Sequence, residues 1–413
     1  MNTIDKSRII KRRVVRYFNS QNEEIIFIKG NGPFVFDNQK RKYIDCVLGY
    51  GPVILGHSNS IFNNKVSESL NTGIHLPSFT PYHENYISNI LNESKIDIDV
   101  VSVFMKTSSE AVTGAIRIST LKTGKKGVLR CGFSGWHDVQ HANSPSWHLP
   151  PQHRKAIRNT EGLRGVSNDE KVLNWVSLEI EELKSILNLH GDKIACFIID
   201  AFQWSFVDKD VMEKAIAYCR EFDIVIVIDE TKTAGRVSPL GHIGNEVNLW
   251  DILILGKAIG NGAPLSLLLA KEDYYDYTLN SQIGGTHSKE LLSVQCALIT
   301  QEIMQTSNAY AELKKIGNSI AKSFNSVTEK LNCTELLSMH SIFGGSLLDI
   351  RFKDQIYNDP SKLFLLQRLF LDNGLLFLVG HPSFVSLSHN QLKTNDLEDI
   401  FYKSILSWLN EIN

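Results

Sequence analysis

The sequence predicts an α/β protein with a mainly parallel central sheet and a smaller α+β part. Several short apolar runs, among them "KIACFIID", "FDIVIVIDE" and "DILILGK", are continuous rather than alternating, and helical stretches separate them. Such runs are typical of strands buried on both faces, as in parallel sheets covered by helices. The chain has 413 residues, which exceeds one ordinary core and therefore predicts two domains.

The elements can be assigned in order along the chain. The stretch "EEIIFIKGNGPFVFDNQKRKYIDC" predicts short strands separated by turns. Next, "DVVSVFMKT" predicts a buried strand, "SSEAVTGAIRISTLKTG" a helix with a serine N-cap that closes at Gly124, and "KKGVLRCGF" another strand. A helix, "KDVMEKAIAYCREF", separates two of the later strands. The tail "GGSLLDIRF", "GLLFL" and "FVSLSHN", with its final helix, predicts a smaller α+β unit.

No Pro-rich linker or low-complexity tract marks a domain border, so the borders are inferred from the order of elements. We assign residues 1–60 to an N-terminal segment, 61–310 to a large domain and 311–413 to a C-terminal small domain. The N-terminal strands are expected to join the small domain.

Composition narrows the class of function. Lys and Arg number 43 against 45 Asp and Glu, so no strong field attracts nucleic acid or an anionic membrane. The six cysteines form no C-x-x-C pair, which disfavours zinc modules and a disulfide framework and favours a cytoplasmic setting. No apolar stretch approaches the roughly 20 residues of a membrane span. We therefore expect small-molecule partners, with no nucleic acid and no membrane.

Two local patterns have weaker functional interpretations. His137 and His141 have the i, i+4 spacing of metal ligands, but the sequence places no third ligand, so we expect no metal site. The "GNG" at residues 260–262 lacks the G-x-G-x-x-G spacing, which disfavours a nicotinamide enzyme.

Polar side chains follow the ends of four predicted strands, where ligands of open α/β sheets bind. These positions are the segment 107–110, Asp200, Asp229 with Glu230, and Lys257. Each alone has an ordinary explanation. A serine can simply cap the helix that follows it, an acid at a strand end can cap a helix or bind a metal, and most lysines are solvated.

The combination of these groups indicates a particular chemistry. A helix N-terminus with the hydroxyls of Ser108 and Ser109 can bind a phosphate, because its free N–H groups and dipole favour an anion. A carboxylate such as Asp229 can keep a pyridine nitrogen protonated. A lysine such as Lys257 can form a Schiff base with an aldehyde when burial lowers its pKa. Together these groups predict a site for pyridoxal 5'-phosphate (PLP).

The motifs also resemble the class III aminotransferases of fold type I, and most closely the branch of glutamate-1-semialdehyde aminomutase. The family carries S-G-[TS]-E-A, D-E-V-x-T-G-F-R and L-G-K-x-I-G-x-G-x-P, where this sequence has "TSSEA", "DETKTAGRV" and "LGKAIGNGAP". The resemblance extends over nearly the whole chain. It implies the fold type I transferase architecture, a large domain with a mainly parallel sheet plus a small domain built from both termini.

The resemblance implies roles for individual residues. Lys257 corresponds to the lysine that holds PLP and moves protons, and Asp229 to the acid at the ring nitrogen. Ser108 and Ser109 correspond to the phosphate-binding turn, and Phe133 to the aromatic residue that stacks on the ring. The segment "GGTHS" resembles one in which a neighbouring subunit completes the phosphate site. The resemblance therefore implies a homodimer in which Gly285 and Thr286 act across the interface.

Other positions depart from the family pattern. Thr231 replaces the valine that packs on the far face of the ring, and Lys232 stands where glutamine or methionine is usual. Near the substrate, Tyr50 replaces a tryptophan, Ser134 a histidine and Asp200 a glutamate. Arg16 aligns with a small offset to an arginine that holds a substrate carboxylate. We expect these four positions to bear on the substrate.

These observations predict a PLP-dependent class III aminotransferase that moves an amino group between an amino donor and a small carbonyl acceptor. The alternative is an intramolecular aminomutase of the glutamate-1-semialdehyde type, which uses the same lysine. A third interpretation, a non-catalytic cofactor-binding scaffold, is disfavoured because Lys257 and Asp229 are both present.

Overall fold

The computed structural model describes residues 16–137, 145–154 and 172–412. The strands are, in chain order, β1 (Tyr17–Phe18), β2 (Glu24–Ile25), β3 (Phe27–Asn31), β4 (Phe34–Asp37), β5 (Lys42–Asp45), β6 (Val100–Met105), β7 (Gly127–Cys131), β8 (Val172–Asn174), β9 (Ile194–Asp200), β10 (Val225–Asp229), β11 (Ile252–Leu255), β12 (Ser266–Lys271), β13 (Leu337–Ile342), β14 (Leu347–Phe352), β15 (Leu375–Leu376) and β16 (Ser383–Phe384). The α-helices are α1 (Ser60–Ser69), α2 (Pro81–Glu93), α3 (Ser108–Thr123), α4 (Ile180–His190), α5 (Lys209–Arg220), α6 (Tyr275–Asn280), α7 (Leu291–Thr306), α8 (Ala309–Lys330), α9 (Asp354–Tyr357), α10 (Pro360–Asp372) and α11 (Thr394–Ile412).

A seven-stranded sheet forms the centre of the molecule, in the order β6-β12-β11-β10-β9-β7-β8. Strands β11, β10, β9, β7 and β8 are parallel to one another. Strand β12 runs antiparallel to both β11 and β6. The predicted α/β class with a mainly parallel sheet is confirmed, and the reversed β12 is a feature that the apolar runs did not reveal.

Both faces of this sheet are covered by helices. Along β9, Cys196 and Ile198 pack in one apolar cluster with residues of α3. Phe197 and Ile199 pack in another cluster, with residues of α4 and α5. Successive side chains of a strand point to opposite faces, so a sheet covered on both faces requires apolar residues at every position. This explains the continuous apolar runs.

Helix α3 begins at the carboxyl edge of the sheet. Its N-cap is Thr107, whose hydroxyl accepts a hydrogen bond from the N–H of Glu110, while the Glu110 carboxylate accepts from the N–H of Thr107. The predicted serine N-cap was therefore wrong by one residue, because this capping box uses the threonine. Gly124 closes the helix in the left-handed conformation, as predicted.

The smaller part of the molecule joins strands from both ends of the chain. C-terminal β15 pairs in parallel with N-terminal β5, which continues antiparallel into β4 and β3. A second sheet, β13-β14-β16, packs with α8, α10 and α11 around a separate apolar core. The small unit built from both termini is confirmed. The borders at residues 60 and 310 stay a prediction.

Two further observations concern cysteines and membranes. All six cysteines are buried free thiols. Among the described helices, none combines the length and apolar character needed to cross a membrane.

Candidate active site

The sheet topology brings the predicted residues to one edge. Strands β9 and β10 are parallel and in register, so that Asp200 lies opposite Asp229 where both strands end. Strand β11 ends two residues before Lys257 at the same edge. A cavity of about 330 Å³ opens there. The predicted cofactor residues that line it are Ser108, Ser109, Phe133, Asp229, Thr231 and Lys257.

The start of α3 forms one end of this cavity. The first turn of a helix leaves backbone N–H groups without intrahelical partners, which favours an anion there. The Ser108 hydroxyl lies 3.2 Å from the hydroxyl of Ser266 on β12. Gly256 lies directly beside this turn, since a Cβ at Gly256 would come within 2.3 Å of the Ser108 oxygen. The close approach of β11 and α3 therefore depends on a glycine that precedes Lys257.

Lys257 presents its amine to the cavity. Its backbone φ is 52°, a left-handed conformation that costs a non-glycine residue about 1 kcal/mol. The ammonium lies 5.4 Å from the centre of the Phe384 ring. Burial, and then the charge of Lys232, lower the pKa of Lys257 to about 7. A large fraction of the amine is therefore uncharged at neutral pH, the form that can attack an aldehyde.

Asp229 lies at the end of β10 and is only 4% exposed. Its Oδ1 accepts a hydrogen bond of 3.0 Å from the backbone N–H of Thr231 and another from the Thr231 hydroxyl. Burial, and then the neighbouring Asp200 carboxylate, raise the pKa of Asp229 to about 6. The carboxylate is thus mostly ionised at pH 7, and a cationic ring nitrogen beside it would favour that form further.

Aromatic and imidazole rings extend from Phe133 as a cluster beside the cavity. The Phe133 ring, which lines the cavity, lies 5.8 Å from the ring of His148. His148 in turn lies 4.0 Å from His381, and Tyr50 meets His381 edge-on at 5.6 Å. Burial, and then the charge of Lys257, lower the pKa of His381 to about 3. Its Nδ1 donates to the carbonyl of Pro382 at 2.7 Å, which leaves the neutral ring with an acceptor at Nε2.

Tyr50 is positioned by a backbone turn in which residues 48–51 all have positive φ. Buried Arg236 donates hydrogen bonds to the carbonyls of Gly51, at 2.5 Å, and of Val385. The guanidinium therefore ties the turn to the C-terminal part of the chain. Sequence reasoning missed both His381 and Arg236, because nothing local to either residue indicates which distant segment it contacts.

The remaining predicted substrate residues have different environments. Arg16 is exposed and forms a salt bridge of 2.9 Å with Glu24. Asp200 is buried and accepts a hydrogen bond of 2.5 Å from the Lys232 ammonium. Ser134 is fully buried, and its hydroxyl has no hydrogen-bond partner among the described residues. Arg16 is thus not brought to the Lys257 cavity, and its role as a carboxylate-binding residue stays a prediction.

Gly285 and Thr286 line a second cavity of about 340 Å³ rather than the one around Lys257. Lys106 lines both cavities, so the two are adjacent. Within one chain, Thr286 therefore does not complete the phosphate end at Ser108.

His137, one of the two histidines with metal-ligand spacing, shares a hydrogen bond of 2.8 Å with the Thr113 hydroxyl. His141, its partner in the metal pattern, lies outside the described residues.

The residues around the first cavity suit PLP. A helix N-terminus with two hydroxyls suits a phosphate, a buried carboxylate suits a protonated ring nitrogen, and Phe133 offers a flat face to a ring. Lys257 has the amine that an aldehyde requires. These groups lie in one cavity although they come from distant parts of the sequence. Gly256 lies so close to Ser108 that any larger side chain at position 256 would clash with the start of α3.

Comparison with known proteins identifies relatives. Residues 17–406 match the family model described as Aminotransferase class-III. The chain is 26% identical over 390 residues to a glutamate-1-semialdehyde 2,1-aminomutase of Methanocella arvoryzae, an alignment that covers 90% of this chain and 88% of that protein. A second aminomutase of this name, from a Sulfurihydrogenibium species, is 25% identical over 94% of this chain and 92% of its own length.

Solved structures share the fold. An omega-transaminase from Sphaerobacter thermophilus superposes with a TM-score of 0.79 at 16% identity, over 95% of this chain and 93% of that one. A glutamate-1-semialdehyde-aminomutase from Pseudomonas aeruginosa, in complex with PMP, superposes with a TM-score of 0.77 at 16% identity. That alignment covers 96% of this chain and 89% of the other.

Proposed function

Because this chain belongs to the class III aminotransferases, and is therefore a PLP-dependent enzyme, we propose that it moves an amino group from an amino donor to a separate small carbonyl acceptor. The observation that carries this proposal is the shared cavity of Lys257 and Asp229 at the carboxyl edge of the sheet. When bound, PLP supplies an electron sink that makes a proton on the adjacent carbon of an amine acidic.

The residues of this chain would act in defined roles. Lys257 would hold the cofactor through its amine and, once displaced, accept and return the substrate proton from a fixed position. Asp229 would hold a proton at the ring nitrogen. The N-terminus of α3 with Ser108 and Ser109 would bind the phosphate. Phe133 would pack against one face of the ring and Thr231 against the other. Tyr50 and His381 would contact the substrate.

The runner-up is an aminomutase, which moves the amino group within one substrate, and it shares all of these roles. Measuring consumption of an external donor separates the two. The cofactor-loaded enzyme is mixed with a panel of amines, each without acceptor, and the deaminated product is quantified by mass spectrometry. We expect at least one amine to release one product per site. If no amine releases product while glutamate semialdehyde is isomerised, the aminomutase is correct.

We further propose that the enzyme is a homodimer with Thr286 supplied across the interface. Exposed apolar side chains lie on the segment from α1 to α2, and they are Ile61, Leu70, Ile74 and Phe79, each about half exposed. The Ile74 carbonyl accepts from the N–H of Leu291 at 2.9 Å, which ties this surface to the segment that follows Thr286. Several exposed apolar side chains on one segment favour its burial against a partner, here a second copy of the chain.

A complementation experiment tests this arrangement. Thr286→Asp places a carboxylate where we expect phosphate, so this variant should be inactive, as should Lys257→Ala. Co-expression of the two should restore about a quarter of wild-type activity, because half of randomly formed dimers are mixed and each contains one intact site. Thr286→Ser, which keeps the hydroxyl, is the matched control. No restoration in purified mixed dimers would show that Thr286 does not act across the interface.

A cytoplasmic location is also proposed, supported by the six buried free thiols. We also propose that the domains divide near residues 60 and 310.

A further inference from the structure

Lys232 and Asp200 form a buried ion pair beside the proposed active site. Lys232 lies three residues after the end of β10, and Asp200 ends the neighbouring strand β9. Their side chains are only 4% and 1% exposed, and the ammonium lies 2.5 Å from the carboxylate. The Lys232 ammonium also lies 5.4 Å from the centre of the Phe133 ring, so it is held from two sides.

This pair belongs to a compact group of four charges. The register of β9 and β10 places Asp200 opposite Asp229, and neighbouring strands lie only about 4.8 Å apart. Lys232 and Lys257 both line the cavity above these two carboxylates. Two acids and two amines thus lie close together where three of them are buried, and charges interact more strongly there than in water.

Stability is a weak reason for such a pair. Desolvating both ions roughly cancels their attraction, and apolar substitutes of similar volume are often no worse. The field that the pair creates in the cavity is then its main physical consequence. Lys232 lines the cavity, whereas Asp200 stands behind it and is not among the lining residues.

We propose that Asp200 is a positioning residue that fixes the Lys232 ammonium beside Lys257, so that the cavity carries a second, permanently placed positive charge directed at the cofactor. This inference rests on the proposed function, in which Lys257 must be uncharged to react while Asp229 must be ionised. A fixed cation favours both requirements, because it disfavours a proton on the neighbouring amine and favours the charge on the neighbouring carboxylate.

The directions of the pKa shifts agree with this assignment. After burial, the charge of Lys232 is the largest influence that lowers the pKa of Lys257, and it also lowers the pKa of Asp229. The titratable and charged groups that face Lys257 from the packed elements are Asp200, Asp229, Lys232, Arg236 and His381. Of these, Asp200 and Asp229 raise the pKa of Lys257, and Arg236 lowers it.

Two substitutions should move the titration of Lys257 in opposite directions. In Lys232→Met the cation is lost and Asp200 remains, so the pKa of Lys257 should rise by about one unit. In Asp200→Asn the cation remains without its counter-charge, so the pKa should fall. The double variant should lie between the two, because both charges are removed.

The measurement is chemical labelling of the full-length chain freed of cofactor. Acetic anhydride acylates only uncharged amines, so the labelling of Lys257 against pH, read by peptide mass spectrometry, reports its titration. We expect a wild-type midpoint near pH 7. The matched control is Lys271→Met, which removes another lysine of the same sheet. Lys271 lies at the opposite edge of the sheet, where it pairs with Val100 at the start of β6. In this variant the pH midpoint for labelling of Lys257 should equal that of the wild type.

A purely structural role would move the two single variants alike, or leave both midpoints unchanged, and either result overturns the inference. PLP loading of the same samples, measured by reduction and intact mass, separates this outcome from failure of the proposed function. If the chain loads PLP while the midpoints do not move oppositely, the positioning role is wrong and the enzyme assignment stands. If the midpoints move oppositely but no PLP is taken up, the positioning role stands and the enzyme assignment is wrong.

Discussion

Lys257→Ala is expected to abolish covalent attachment of PLP and to lower amino transfer by about 10⁴-fold, because we propose that one side chain serves both as the attachment point and as the proton carrier. Lys257 lines the cavity, and burial and Lys232 lower its pKa to about 7, which suits both proposed tasks. Attachment is measured by borohydride reduction followed by intact mass, and transfer by product formation under saturating donor and acceptor.

Two controls accompany this variant. Lys257→Arg keeps a cation at the same place but cannot attach an aldehyde, so it should be equally inactive. Lys330→Ala removes an exposed lysine that pairs with Glu398, and it should load PLP like the wild type. An alanine variant at position 257 that turns over within about tenfold of the wild type would remove Lys257 from its role.

Asp229→Asn is expected to lower the turnover number by about 10²-fold to 10³-fold while leaving the fold intact. The amide oxygen can still accept the hydrogen bonds that Thr231 donates to Oδ1, so the local geometry is kept. What is lost is the negative charge that would hold a proton on the ring nitrogen. Without that proton the ring is a weaker electron sink, and removal of the substrate proton slows.

The matched control is Asp251→Asn. Asp251 is also a buried acid of the same sheet, but it precedes β11 and accepts from the N–H of Ile226 at 2.8 Å, far along the strands from the cavity. This variant should lower thermal stability and leave the turnover number of the folded enzyme unchanged. Pre-steady-state rates of the half-reaction, compared with unfolding midpoints, distinguish the two effects. If Asp229→Asn transfers at the wild-type rate, the carboxylate has no role at the ring.

Much of the architecture could be predicted because it depends on local patterns. Continuous apolar runs identified β9, β10 and β11, since strands covered on both faces need apolar residues at every position. The start of α3 was located to within one residue, but the choice between Thr107 and the serines depended on which hydroxyl reached the N–H of Glu110. Capping geometry is decided by backbone angles that composition does not specify.

The candidate site was predictable only in part. Asp229 and Lys257 follow strand ends, and parallel strands bring such positions to one edge whatever their separation in sequence. The cluster of rings formed by Tyr50, His148 and His381 follows no such rule. It depends on a turn with positive φ and on Arg236, which ties that turn to a distant segment.

The sequence by itself thus determined the α/β class and the family, and it proposed the reactive groups, because strand periodicity and short motifs are properties of neighbouring residues. The tertiary structure alone decided that Asp200 pairs with Lys232 rather than facing the cavity, that Arg16 pairs with Glu24, and that Thr286 lies at a separate cavity. The physical reason is that such contacts depend on strand register and on which buried charges lie close enough to neutralise one another. Those distances exist only once the chain is packed.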